Sequence, residues 1–269
     1  RHQLASSHSN RGLLLSGLQR TEDAEAALRE AVSLERALAR DFPEHQEHRK
    51  ELAANLLYLG RVQLDRNQLT EAKQVLDEAF ALQARLLEED PKRPLFRQDL
   101  ARTHVALAEL FERQKNAPQA IQSLRHAQAL YTKLVADQPR DTIVKEEFAR
   151  CSNSLGRLFW QAKRFDEAEA MHREALHARQ QLHKAAPERP SFQYTLAGSH
   201  VNLGHILRDT DRTEASLDHY RQAIELLQAL WERKYDNPSV PLFLRNAHWG
   251  RAEALQRLQR HAEALTDLD

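Results

Sequence analysis

The chain has 269 residues, with 39 Lys and Arg against 39 Asp and Glu, so its net charge is zero. That balance argues against a nucleic-acid module, which carries a basic excess, and against a polybasic membrane anchor; no apolar run approaches the ~20 residues of a membrane span. One cysteine excludes an internal disulfide framework and suits a reducing compartment, so a cytoplasmic location is expected.

Residues 1–19 show a helical rhythm already under way, and Thr21, followed by Glu22 and Asp23, reads as the N-cap of a partner helix reaching to about residue 40. A second hairpin takes 44–66 and 70–89. A third takes 94–114 and 117–136, with Pro118 tolerated in a first turn. The fourth, over 139–186, is the clearest. Val144, Phe148, Cys151, Leu155, Leu158 and Phe159 recur in steps of three and four on its first helix, as do Ala168, Met171, Ala175, Ala178 and Leu182 on its second. The polar stretch 161–164 is short enough to make the two antiparallel. Asp166 and Glu169 are placed as an N-cap and its reciprocal acid, and Pro187 and Pro190 stop this helix and begin the next. A fifth hairpin takes 191–208 and 213–234. After the stretched junction 235–239, a sixth starts near Pro241 and enters its second helix at about His261.

The hairpins repeat at an interval of 48. One small column reads Gly12, Gly60, Ala108, Gly156, Gly204, Ala252; a second reads Ala24, Ala72, Ala120, Ala168, Ser216, Ala264; a third reads Ala31, Ala79, Ala127, Ala175, Ala223. Small side chains at a fixed interval leave room where helix backbones approach, and a larger one would cost about 1–3 kcal/mol of overpacking strain. Four of the seven glycines are consumed by the first column, and the chain has no Gly-x-Gly-x-x-Gly run or Lys-Ser/Thr phosphate-binding loop.

Leu155-Gly156, then Phe159, Ala168, Ala175 and a closing proline, resembles the tetratricopeptide repeat. Against the family's usual 34 residues each unit is 14 longer (48 − 34), about two extra turns per helix if shared equally. Such long repeats resemble the kinesin-light-chain type and the arrays that follow the kinase domain of planctomycete-type Ser/Thr kinases; the segments 7–12 and 199–204 are similar to that group's Asn-Asn-Leu-Gly phrase. Arg11 and Arg251 in the Leu column, Ser216 in an Ala column and Gln63 in the aromatic column depart from the pattern.

The resemblance implies an all-α fold, a right-handed α-α superhelix of about five and a half hairpins. It forms a single solenoid domain over 1–269, with repeats at 1–42, 43–90, 91–138, 139–186, 187–237 and an incomplete 238–269. The expected function is a non-catalytic protein-interaction scaffold in a longer bacterial protein. The other readings are a regulatory appendage of an enzyme such as a Ser/Thr kinase, with catalysis in a neighbouring domain, and a structural array that self-associates through uncapped end faces.

Chemical motifs are weak. Among the fourteen histidines, His8, His104, His200 and His248 share one repeat column and are expected inside their hairpins. His45 with His48, and His172 with His177, lack the spacing and companions of a closed metal site, so neither a metal nor a cofactor is expected. Cys151 reads as a buried small hydrophobe, Trp231 as core, and the abundant carboxylates as solvated faces and i,i+4 pairs.

What remains is surface. The resemblance places the first helix of each pair on the concave side, which implies a groove carrying Leu57, Arg61, Arg102, Glu109, Arg150, Asn153, Arg157, Trp160, Asn202, His205, Arg208 and Trp249. Arginine grips carboxylates with two hydrogen bonds and Trp is a favoured anchor. The expected partner is therefore a protein or peptide carrying acidic groups, not nucleic acid or a membrane. The family's matched Lys and Asn carboxylate clamp is not reproduced.

Overall fold

The computed structural model describes residues 1–267, and among them are twelve helices and no strand. They fall into two compact units, Arg1–Asp137 and Gln138–Asp269. The first contains α1 (His2–Gly17), α2 (Thr21–Asp41), α3 (Gln46–Asp65), α4 (Leu69–Glu89), α5 (Pro94–Arg113) and α6 (Ala117–Asp137). The second contains α7 (Thr142–Gln161), α8 (Phe165–Ala185), α9 (Pro190–Asp209), α10 (Thr213–Glu232), α11 (Ser239–Arg257) and α12 (His261–Leu265). Within each unit every helix packs on the next. The odd-numbered helices also touch their counterparts, α3 on α1 and α5, and α11 on α9.

The small column lets the two helices of a hairpin close. A methyl at Gly60 would lie 2.7 Å from Leu76, and one at Gly204 would lie 2.7 Å from the Tyr220 ring. Leu76 and Tyr220 are themselves fully buried and have nowhere to retreat. Hairpin contacts then merge into shared cores, one across Leu28, Val32, Leu52, Leu56 and Leu59 in the first unit and one across Val201, Ile224, Leu227 and Val240 in the second.

Each first helix ends the same way. Gln19, Asn67, Lys115, Lys163, Asp211 and Gln259 stand 48 apart with φ of 57–60°, the left-handed region. In the fourth repeat Lys163 N donates to the Trp160 carbonyl at 2.9 Å and Arg164 N to the Phe159 carbonyl at 2.8 Å, which satisfies the last helical carbonyls as a Schellman closure does. None of the six is glycine, so the sequence carries no visible signal for this turn. Arg113 adds a second lock, its guanidinium donating to the Leu64 carbonyl at 2.7 Å; Arg257 does the same to the Arg208 carbonyl at 2.7 Å.

Two expected caps are corrected. Thr21 and Asp166 lie inside the first turns of α2 and α8, behind Arg20 and Arg164, and no side chain caps either helix. The left-handed turn hands the chain into the second helix directly, so no residue is left in the extended conformation an N-cap needs. Glu169 pairs instead with Arg173 and Arg212, at 2.7 and 2.5 Å. Asp141 caps α7, accepting from Ile143 N at 2.8 Å and Val144 N at 3.1 Å. Trp231 is corrected as well: Leu230 takes the inward position, and Trp231, one step round the helix, is 58% exposed.

Two outcomes are expected. Gly204→Ala should lower the melting temperature, because overpacking against Tyr220 costs about 1–3 kcal/mol and outweighs a gain in helix propensity of about 1 kcal/mol. Lys163→Gly should raise it, since relieving left-handed strain at one exposed residue contributes roughly 0.5–1 kcal/mol net. Thermal melts followed by circular dichroism read both.

Candidate functional site

In the second unit α7 presents Asn153, Arg157 and Trp160 one turn apart, and α9 faces them with Tyr194, Gly198, Asn202 and His205. His172 and Arg179 reach in from α8, and Phe243 from α11. Together they line a cavity of about 350 Å³, at the small end of ligand sites. Asn202 Nδ2 donates to Asn153 Oδ1 at 2.7 Å and ties α9 to α7. Trp160 Nε1 donates to Asp209 Oδ2 at 3.2 Å. Tyr194 and Phe243 meet edge to face with centroids 5.3 Å apart and form an aromatic wall.

Arg179 dominates the electrostatics. Its Nη1 donates to the Thr195 carbonyl at 3.1 Å and to Ser199 Oγ at 2.7 Å. Among the described residues no carboxylate hydrogen-bonds to it, and Glu146 acts only at longer range. Burial brings its pKa down to about 10, still charged at neutral pH. His172 and His205 are pushed down to about 4, first by burial and then by Arg179 and Arg208 respectively, so both are neutral there. His205 Nδ1 lies 2.8 Å from the Tyr220 hydroxyl. His172 Nδ1 is buried with no hydrogen-bond partner. The cavity is thus cationic through Arg157 and Arg179, and it has amide donors and an aromatic side.

Five of the residues named from sequence, Asn153, Arg157, Trp160, Asn202 and His205, share this cavity. Arg208 stands beside it, paired with Asp209 at 3.1 Å and with Glu253. Trp249 is exposed at a second cavity of about 250 Å³ with His261 and Leu265, and its Nε1 donates to Glu253 Oε1 at 2.8 Å. Arg150 is exposed and outside both. In the first unit Arg61 is exposed, Arg102 lies near Asp99 at 3.5 Å, and Glu109 accepts from Arg113 at 2.7 Å. Leu57 is withdrawn from any surface. It is 3% exposed, in a core with Leu76, Ala106 and Leu107, because α5 covers the face of α3 that carries it.

Of the histidine column, His200 is buried, its Nδ1 facing His219 Nδ1 at 3.0 Å, while His8, His104 and His248 are half-buried; the His104 ring lies tilted 5.1 Å from that of His126, and His248 Nδ1 meets Asp267 Oδ1 at 2.9 Å. Cys151 is buried, and burial pushes its thiol up to about 12, as befits a core residue. No helix among the described residues is long and apolar enough to cross a membrane.

Profiles of the tetratricopeptide repeat match residues 5–38, 148–190, 197–226 and 246–266, and the paired helices and small columns accord with them. The chain is a tetratricopeptide-repeat array. No curated protein sequence matches it. Among solved structures it is similar to BtubC (BKLC) from P. vanneervenii, with a TM-score of 0.67 at 18% identity over 93% of this chain and 88% of that one. The apo form of RapI gives 0.61 at 10% identity over 98% and 94%. A kinesin light chain protein of nearly identical TPR-like repeats from Podosopora anserina gives 0.53 at 18% over 80% and 90%. At such identities the likeness is one of fold. Proteins of this fold mediate protein–protein interaction.

Of the cavity residues missed from sequence, Tyr194, Gly198 and Phe243 lie on first helices and His172 and Arg179 on a second. The resemblance directs attention to first helices, whereas His172 and Arg179 sit on a second helix. The available signal was Arg179 itself, four residues after Ala175 on an otherwise apolar stripe. A second miss is a cluster of His2, Glu35 and His48 from three helices, separated by 33 and 13 residues and so invisible to any spacing rule.

Four histidines, the buried His172 and His200 and the half-buried His104 and His205, titrate near 4 in the folded array and near 6.5 when unfolded. The unfolded chain therefore takes up protons the folded one refuses, so stability present above about pH 6.5 is lost as the pH falls toward about 4. The melting temperature should drop between pH 7 and 5. His172→Leu, which restores the residue type of Leu28, Leu76 and Leu124 in the same column, should make that drop shallower.

Proposed function

We propose that the array is a non-catalytic scaffold that holds an acidic segment of a partner protein, seating one of its carboxylates in the cavity of the second unit. The observation that carries this reading is Arg179: a half-buried guanidinium held in place by a carbonyl and a hydroxyl, neither of which neutralises it. A cation largely withdrawn from water without a hydrogen-bonded anion is costly, and an incoming carboxylate supplies what is missing. Arg157 stands at the same cavity and adds a second positive charge. The Asn153–Asn202 pair offers amide groups to a peptide backbone, and Trp160, Tyr194 and Phe243 offer apolar cover for the residues either side of the acid.

Gly198 supports the reading from the side of shape. A methyl there would meet only Phe243, at 3.5 Å, so this glycine is not demanded by helix packing in the way Gly204 is. Its effect is to leave the floor of the cavity open between Arg179 and Phe243.

The test is a selection of random peptides on the full chain, followed by fluorescence anisotropy of the enriched peptide. Asp or Glu should be enriched. Arg179→Met, which keeps the buried volume apolar, should weaken binding at least about tenfold, or ~1.4 kcal/mol. Gly198→Leu, which fills the cavity without touching its charge, should weaken it comparably. Selection without acid preference, or affinity unmoved by both variants, would remove the proposal.

A further inference from the structure

In the first unit a different group is buried at the equivalent place. Glu35 lies on the inward face of α2, with its side chain 1% exposed. Its two oxygens are turned to two imidazoles from different helices. His2 Nδ1, on α1, is 2.9 Å from Oε1, and His48 Nδ1, on α3, is 3.2 Å from Oε2. The candidate ligand atoms of all three residues lie within 4.8 Å of one another.

We propose that His2, Glu35 and His48 bind a divalent cation of the zinc class. Two imidazoles and one carboxylate are a donor set that Zn²⁺ takes in tetrahedral sites with one open position, and imidazole also suits its borderline neighbours Ni²⁺ and Co²⁺. Bonds of about 2.0–2.1 Å to a tetrahedral ion place ligand atoms roughly 3.3–3.4 Å apart. His2 and His48 face different oxygens of Glu35, and the three donor atoms lie within 4.8 Å of one another, so rotation of the side chains about an entering ion is what draws them to that spacing.

The surroundings favour a cation. Glu35 is a carboxylate taken almost wholly out of water, which stabilises an opposite charge brought beside it. The site is closed on one side and open on the other. The side chain of His48 is 17% exposed and that of His2 47%, so an ion enters past His2 and keeps a water or a partner's ligand in its fourth position. The rings of Phe42 and His45, 6.0 Å from His48, flank it without joining the donor set.

The consequence is mechanical. The three donors come from α1, α2 and α3, so one ion fastens the first hairpin to the first helix of the second. Binding to the folded state alone stabilises that state by mass action.

Isothermal titration of zinc chloride into the full chain should show one site of micromolar affinity. Glu35→Gln and His48→Gln should each weaken it at least about tenfold, whereas His177→Gln, on an exposed histidine of the other unit, should leave it unchanged. Zinc should also raise the melting temperature of the wild-type chain, with reversal by EDTA, and should not do so in Glu35→Gln. Circular dichroism confirms that each variant is folded; His48, being partly exposed, gives a folded variant should Glu35→Gln fail. No zinc binding, or zinc affinity equal in wild type and His48→Gln, overturns the site.

Discussion

The contact on which the array depends is the seating of one large second-helix side chain on a small first-helix residue sixteen positions earlier. Leu28 closes on Gly12, Leu76 on Gly60, His172 on Gly156 and Tyr220 on Gly204, each so close that a methyl on the glycine would lie 2.6–2.8 Å away. Two helices held at that distance bury a continuous stripe, and the stripe left over on the first helix is covered by the first helix of the following hairpin. Leu57 illustrates the result: a residue that a single hairpin would leave on its surface becomes core once the next hairpin stacks.

Because backbone spacing is met by the glycine and alanine columns, other inward positions are free to vary. The position of Glu35 recurs as Gln83, Tyr131, Arg179 and Leu227, and most of these side chains are fully buried. Tyr131 and Leu227 are ordinary core. Gln83 leaves both side-chain polar atoms without partners. Glu35 and Arg179 bring opposite charges to the same place in two hairpins, and each stands at a candidate site, one for a cation and one for a carboxylate. A repeat fold tolerates this because each hairpin contacts only its neighbours, so a costly residue in one is stabilised locally and does not disturb the rest.

The same locality explains why site and scaffold separate. Arg157, Asn153 and Asn202 tie or decorate first helices, and the neutral His172 fills volume that Leu or Tyr fills in other hairpins. Charge in the cavity therefore comes from arginine alone and persists across the range in which the histidines do not titrate. Binding chemistry of that kind follows from which residues occupy a few variable positions, not from the fold.

The repeat interval, the helix pairs, the small columns and the burial of His200 were legible in the chain, because each depends on residues a fixed number of places apart on a helix whose geometry is known. The left-handed turns at Gln19, Lys115 and Lys163 were not, since backbone closure there overrides residue preference. Nor was the burial of Leu57, the exposure of Trp231, the entry of Arg179 into the α7–α9 cavity, or the meeting of His2, Glu35 and His48. Those depend on which helix covers which face. That is decided only when hairpins stack and side chains from three helices compete for one volume.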